Sequence, residues 1–488
     1  MKEFDLIVIG AGPGGYPCAI RAAQLGKKTA IVEKTYFGGV CLNVGCIPSK
    51  ALIHAASQFH KMKHEASEMG IESKSVSINV EQLQKWKSGV VKKLTGGVSQ
   101  LLKRNGVELI EGEASFKDAH TLSIKGKSGT ETIKAKSIVI ATGSSVVEIP
   151  SMKFNGKNVI SSTEALDLKE LPKQLVVIGG GFIGLEIGIV YAKLGSEVTV
   201  VEAMDNILPN IDQELVNVVK KRMKKLGIEI FTKAKALGIK ESDPAKEKKL
   251  HLEIQTDSGE KKTLEATHLM VSVGRKPNSK GLGLESIGVK TDDRGNILTD
   301  NQSRTNVEGV FAIGDVAGAP QLAHRATMDG LLVAETVAGH SGYKDYKTVP
   351  WAVFCDPEIA VCGLTEDEAK EKGFKVKIGK FPFAASGRAL STNESDGFVK
   401  VLIDESTDML LGAHIVGPEA SNLIAEAALA IEMGATAEDI IRTIHTHPTL
   451  PEAFPEAIEA AMNKAIHIYK PARPSANAEG TNGRSARP

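Results

Sequence analysis

Long apolar runs are missing from this sequence. No uninterrupted stretch approaches the roughly 20 apolar residues that a membrane-spanning helix needs. Cysteine is scarce, five among 488 residues, which excludes a small disulfide-stapled secreted scaffold. Neither sign of charge dominates. Sixty Lys and Arg stand against 59 Asp and Glu, a formal charge of +1, where an electrostatic nucleic-acid binder would carry a basic surplus. The opening MKEFDLIVIG has no basic segment ahead of a separate apolar core, so it does not read as a secretion signal. The expectation is a soluble, cytoplasmic protein that engages neither nucleic acid nor membrane. A single hydrophobic core is excluded too, because about 150 residues per domain gives roughly three domains.

Glycine, by contrast, is abundant, and it repeats. Residues 6–33 read LIVIGAGPGGYPCAIRAAQLGKKTAIVE and residues 175–202 read LVVIGGGFIGLEIGIVYAKLGSEVTVVE. Gly10, Gly12, Gly15 and Glu33 recur 169 positions later as Gly179, Gly181, Gly184 and Glu202. Each set lies between an apolar run and a helical stretch and closes on an acid after a second apolar run. In a parallel βαβ unit the helix N-terminus points unpaired N–H groups beyond the strand end. There the first glycine permits the tight turn and the second lets a pyrophosphate approach the backbone. The third lets helix pack on strand, while the acid meets a ribose hydroxyl. Two such units imply two dinucleotides, hence a flavoprotein that exchanges electrons with a nicotinamide. The glycines do not say which unit holds which. If the second holds the nicotinamide, the carboxylate of Glu202 suits the free 2′-hydroxyl of NAD and repels the 2′-phosphate of NADP.

Residues 38–50 read GGVCLNVGCIPSK, placing Cys41 and Cys46 just before an evident helix. A helix N-terminus favours a thiolate, so the pair suits a redox disulfide. A zinc site would need further ligands nearby, and two unrelated buried thiols remain the plain alternative. Beside a dinucleotide turn that ends at Glu33, the redox reading is favoured. Cys18, Cys355 and Cys362 read as small buried hydrophobes, the last two able to face each other across a strand pair. In HTHPTLPE (445–452), His447 and Glu452 suit an imidazole oriented by a carboxylate, a pair that accepts a thiol proton near neutral pH. On its own, such a His-Pro turn is more often a satisfied loop histidine. His54, His60 and His64 fall on a polar helical stretch and are expected to be solvated.

Elsewhere, residues 50–105 read as helix broken near 70–80, 107–149 as short strands ending in SIVIATGSS, and 226–273 as a β-rich insert. GVFAIGDVAG (309–318) reads as a buried strand running into a turn at Asp315. Short strands after 350 precede helices near 419–434 and 451–466. Residues 471–488 lack any large apolar side chain and are expected to be disordered.

The segments GAGPGGYPCAIRAAQLG, GGVCLNVGCIPSK, IVIATGS, VSVGRKPN, FAIGDVAG and HTHPTLPEA occur in this order. On them the chain, from residue 1 to about 470, resembles the pyridine nucleotide–disulfide oxidoreductases. The resemblance implies an α/β fold: two Rossmann-like dinucleotide-binding domains, for FAD and NAD, plus a C-terminal α+β dimerisation domain. The boundaries it suggests are 1–148 and 273–347 for the FAD domain, 149–272 for the NAD domain, 348–470 for dimerisation and 471–488 for the tail. It assigns FAD to Gly10, Gly12, Gly15 and Glu33, with further FAD contacts at Thr142, Gly143, Ser144, Asp315 and Ala323. It assigns NAD to Gly179, Gly181, Gly184, Glu202 and Gly274. Lys50 falls near the flavin, paired with Glu186, a sensible pairing because a buried ammonium without a carboxylate is costly. Two positions depart from the family pattern: Val40, where Thr is common, and Ala114, near the adenine, where Gly is common.

The implied activity is oxidation of protein-bound dihydrolipoamide with NAD as acceptor. Cys41 takes the substrate thiolate, Cys46 faces the flavin, and the His447–Glu452 dyad comes from the partner subunit of a homodimer. The implied partners are lipoyl domains of 2-oxoacid dehydrogenase acyltransferases or the glycine cleavage carrier protein. Family members selective for NADP carry basic residues where Glu202 stands. A non-catalytic flavoprotein would have lost Cys41, Cys46 or His447, and all three are present.

Overall fold

The computed structural model describes residues 1–72, 75–241 and 249–469; the expectation for 471–488 lies outside them. The chain forms two compact units. One comprises Met1–Tyr346 with the short segment Val353–Asp356, and the other Lys347–Ala352 with the residues from Pro357 onward.

The first unit contains the two glycine-turn repeats as two separate sheets. In one, strands Glu108–Glu111, Thr29–Glu33, Lys2–Ile9 and Gly129–Ile140 lie side by side in that order. Lys2–Ile9 pairs in parallel with both of its neighbours, Leu6 facing Thr29 on one side and Ser137 on the other. Val310–Ala312 adds a further parallel strand beside Gly129–Ile140. Residues such as Leu6, Ile7, Val8, Ile31 and Val139 are fully buried, the continuous apolar run of a strand covered on both faces. The second sheet repeats the arrangement: Gln174–Ile178 lies between Glu197–Val201 and His268–Val271, parallel to both. In each sheet the strand that feeds the glycine turn lies between the next strand of its own βαβ unit, on one side, and a strand from much later in the chain, on the other. Its C-terminal end is therefore a topological switch point, where ligands bind in open α/β sheets.

The helices of this unit include Gly15–Gln24, Cys46–His60, Val80–Arg104, Phe182–Leu194 and Ala323–Ala338. The helical stretch Gly39–Met69, broken at Gly45, has a mean hydropathy of 1.2 over 18 residues, enough by length and composition to span a membrane. It holds the charged Lys50, carries both motif cysteines and packs along Phe182–Leu194.

In the second unit, antiparallel strands Glu358–Gly363, Leu410–Gly417, Phe398–Asp404 and Val376–Pro382 lie in that order. Helices Ala420–Met433 and Ala453–Ala461 bury Ala427, Ile431, Ala457 and Ile458 against this sheet. Cys362 faces Ala413 across the ladder, and Cys355 lies in neither Trp351–Val353 nor Glu358–Gly363, so the reading that the two could face each other across a strand pair is corrected.

Candidate active site

The two glycine turns match in geometry as well as in spacing. Gly10 and Gly179 adopt φ of 101° and 104°, the left-handed side that side chains avoid. Their N–H groups donate to Val32 and Val201 carbonyls at 2.7 and 2.9 Å. A Cβ at Gly15 would lie 1.9 Å from the Gly10 oxygen, and one at Gly184 2.5 Å from the Gly179 oxygen. At Gly12, however, the nearest atom to such a Cβ is 3.9 Å away, and at Gly181 nothing lies within 4 Å. The first and third glycines are thus required by the protein's own backbone, whereas the second leaves open space. That is the pattern a dinucleotide pyrophosphate requires, so the residues fit the group.

The closing acids brace the same turns. Glu33 accepts the Ala11 N–H at 2.8 Å and the Thr35 N–H at 2.7 Å. Glu202 accepts the Gly180 N–H at 2.5 Å and the Met204 N–H at 2.7 Å. Sequence reasoning gave these carboxylates a ribose partner alone; their grip on the turn was not foreseen.

A cavity of about 470 Å³ opens beyond the first turn. Gly10, Gly12, Glu33, Thr142, Gly143 and Ser144 line it, as do Asp315 and Ala323. Cys41, Cys46, Lys50 and Glu186 border the same space. Gly15 is packed beneath the turn, and Ala114 is buried in strand Glu113–Asp118, so neither reaches the cavity. Gly179, Gly181, Gly184 and Glu202 belong to the second turn, and Gly274 follows strand His268–Val271. None of these five lines the cavity.

Cys41 and Cys46 are joined as a disulfide, with Cα atoms 4.7 Å apart. Cys41 lies on the short helix Gly39–Val44, and Cys46 is the first residue of the 15-residue helix Cys46–His60, after a break at Gly45. The positive helix end thus faces the Cys46 sulfur, favouring a thiolate once the bond opens. One turn on, Lys50 Nζ bonds Glu186 Oε2 at 2.7 Å. Glu186 is 4% exposed and Lys50 32%. The other Glu186 oxygen accepts the Phe354 N–H at 2.9 Å, and the Phe354 ring lies 4.3 Å from the ammonium.

Also in the cavity lining, Ser144 Oγ donates to Asp315 at 2.5 Å, while Arg275 Nε donates to that hydroxyl at 2.7 Å. Burial pushes the Arg275 guanidinium down, opposed by the nearby Asp315 carboxylate. Thr142 and Asn278 exchange hydrogen bonds at 2.8 and 2.9 Å. Arg275 and Asn278 received no role from the sequence, although both stand in the VSVGRKPN segment.

In the second unit His447 Nδ1 and Glu452 Oε1 are 2.9 Å apart, with the imidazole 79% exposed. Partial burial favours the neutral form of Glu452. Hydrogen bonds from the Thr449 N–H and His447 outweigh it and hold the carboxyl below its usual range. His445 is tied separately, to Glu426 at 2.7 Å. His54 and His64 are exposed, but His60 is 15% exposed and lies 3.5 Å from Glu65, which corrects the expectation of a solvated His60.

The chain is similar to known proteins over nearly its whole length. It is 49% identical to dihydrolipoyl dehydrogenase of Geobacillus stearothermophilus, covering 96% of this chain and 98% of that one. To the dihydrolipoyl dehydrogenase of Haloferax volcanii it is 50% identical over 95% and 97%. Among solved structures, LpdA from Mycobacterium tuberculosis superimposes with a TM-score of 0.86 at 26% identity, covering 94% of this chain and 99% of that one. The flavoprotein disulfide reductase RclA of Escherichia coli gives 0.82 at 27%, covering 93% and 99%. Residues 4–330 match the pyridine nucleotide-disulphide oxidoreductase model and 349–458 its dimerisation domain. A redox disulfide at the mouth of a dinucleotide turn is thus joined to both parts of one family pattern, and the chain belongs to the pyridine nucleotide-disulphide oxidoreductases.

Proposed function

We propose that this protein is a dihydrolipoyl dehydrogenase, oxidising protein-bound dihydrolipoamide to lipoamide with NAD as acceptor, and that it works as a homodimer. The observation that carries this reading is the Cys41–Cys46 disulfide bordering the same cavity as the first glycine turn and the Lys50–Glu186 pair. Residues 1–148 and 273–347 then form the FAD domain, 149–272 the NAD domain and 348–470 the dimerisation domain.

His447 Nδ1 is held by Glu452, which leaves Nε2 to take the proton from a substrate thiol. The resulting thiolate attacks the Cys41 sulfur, breaking the bond to Cys46 and forming a mixed disulfide. The second substrate thiol then closes lipoamide and releases Cys41, so the substrate is oxidised and the cysteine pair reduced. Cys46, at the helix N-terminus, holds the resulting charge. Bound FAD supplies a two-electron carrier between the cysteine pair and NAD. Lys50 and Glu186 orient one cavity wall, and the Gly12 and Gly181 openings admit the two pyrophosphates. The dyad of one protomer serves the disulfide of the other. Lipoyl domains of 2-oxoacid dehydrogenase acyltransferases, or the glycine cleavage carrier protein, are the matching partners, and the cytoplasm the matching compartment.

The test is direct. Purified protein is expected to be yellow, and to form NADH from NAD with dihydrolipoamide but not with reduced glutathione. NADH formation with glutathione alone would overturn the substrate assignment.

A further inference from the structure

The helices that carry Lys50 and Glu186 share a second polar rung. Lys193 Nζ donates to Ser57 Oγ at 2.9 Å. Lys193 follows Ser57 by 136 positions, as Glu186 follows Lys50. Seven residues separate the rungs along each helix, two turns or about 10 Å, so both pairs lie on facing stripes of the same two helices.

One short segment closes both rungs. Phe354 gives its N–H to Glu186. Two residues on, Asp356 Oδ2 receives Lys193 Nζ at 2.8 Å and Arg222 Nε at 3.0 Å. Arg222 also bonds Glu65. Lys193 is 8% exposed, Asp356 and Arg222 21%. An ammonium so buried needs a counter-charge, and Asp356 supplies it. Burial would favour a neutral Asp356, but the two cations hold its carboxyl below the usual range. Ser57, Lys193, Arg222 and Asp356 all stand outside the cavity lining, so the second rung acts on the site only through the first.

We infer that Asp356 is a positioning residue for the Lys50–Glu186 pair. Anchored through Lys193 and Arg222, it fixes the segment Val353–Asp356 so that the Phe354 N–H occupies one Glu186 oxygen and leaves the other for Lys50. The Lys50 ammonium is thereby held at one place on the cavity wall, where its charge tunes the electronics of a bound flavin. This rests on the flavoprotein reading above.

The experiment compares the reduction equilibrium of bound FAD in the purified dimer with that in Asp356→Asn, Asp356→Glu, Lys50→Gln and the double variant Asp356→Asn/Lys50→Gln. Asp356→Asn should retain FAD yet shift the equilibrium constant about tenfold, ~30 mV for a two-electron couple, in the direction of Lys50→Gln. Asp356→Glu should restore it, and Asp356→Asn should add nothing in the Lys50→Gln background. An unchanged constant in Asp356→Asn, or an equal shift in both backgrounds, overturns the inference. If Asp356→Asn does not yield folded holoprotein, Arg222→Gln, which removes one of the two anchoring cations, is read by the same criteria. A parent protein that binds no flavin would instead defeat the functional reading.

Discussion

The carbonyl oxygen of Gly10 fills the space in which any side chain at Gly15 would begin, 1.9 Å from an ideal Cβ. Gly12, in the same turn, meets nothing closer than 3.9 Å. The two positions therefore separate the needs of the fold from those of the ligand. Gly15→Ala is expected to fail to fold, because the clash is with backbone that closes the turn. Gly12→Ala should melt close to the parent's temperature once both are stripped of cofactor, yet lose most of its FAD. Melting by circular dichroism together with flavin content checks both; equal flavin retention in Gly12→Ala would remove the pyrophosphate role.

Glu202 offers a second separation. It is buried and engaged by the Gly180 and Met204 N–H groups. Removing the carboxylate leaves those donors unsatisfied, at about 1–3 kcal/mol for a buried group. Glu202→Ala should therefore lower the melting temperature and raise the KM for NAD together. Glu202→Gln keeps one acceptor oxygen, so it should recover part of the stability while NAD affinity stays weakened. Thermal melts and NAD titrations of the two variants distinguish the roles.

What could be read in advance followed from how local each signal is. The glycine turns are fixed by residues within one βαβ unit, so their spacing alone announces the turn, the strand and the helix. The Cys41–Cys46 pairing needs only five residues of separation. Lys50–Glu186 spans 136 residues and was reached through family resemblance, not periodicity. Asp356, Arg222, Lys193 and Glu65 gave no signal, because isolated charges far apart in sequence look like a solvated surface until folding gathers them. The same holds for Glu33 and Glu202: an acid after a strand points to a ribose, while its bond to the turn depends on a loop conformation that the sequence does not display.

Thiol chemistry should divide the five cysteines sharply. Burial pushes the Cys18 and Cys362 thiols up to about 12, so at pH 8 they hold almost no thiolate and are screened from reagent. Cys355 is buried as well. Alkylation of the native protein with iodoacetamide should label none of the five before reduction. After a mild dithiol it should label Cys41 and Cys46 alone, as read by peptide mass spectrometry. Labelling of Cys18 under native conditions would contradict the packing around the first helix.

The dyad carries a pH signature of definite sign. Burial, the largest single influence on Glu452, favours its neutral carboxyl, but the Thr449 N–H and His447 together outweigh it and hold the group below its usual value. A carboxyl depressed in the folded state contributes stability that is complete above its unfolded value, about 4.3. It is lost as pH falls through the folded value. Hydrogen bonds to a charged acceptor are worth about 1.5–3 kcal/mol, reduced towards ~1 kcal/mol here by the solvent around a third-exposed group. Glu452→Gln should therefore be less stable than the parent by about that amount at pH 7. The gap should narrow steadily below about pH 4.3. In turnover, His447→Gln should cost about 10²–10⁴-fold with dihydrolipoamide but leave flavin-to-NAD exchange near the parent rate, because that half-reaction needs no thiol proton removed. Denaturation at several pH values and stopped-flow of the two half-reactions provide the readouts. A His447→Gln variant equally slow in both halves would mean that the imidazole supports the fold of the dimer instead of taking a proton.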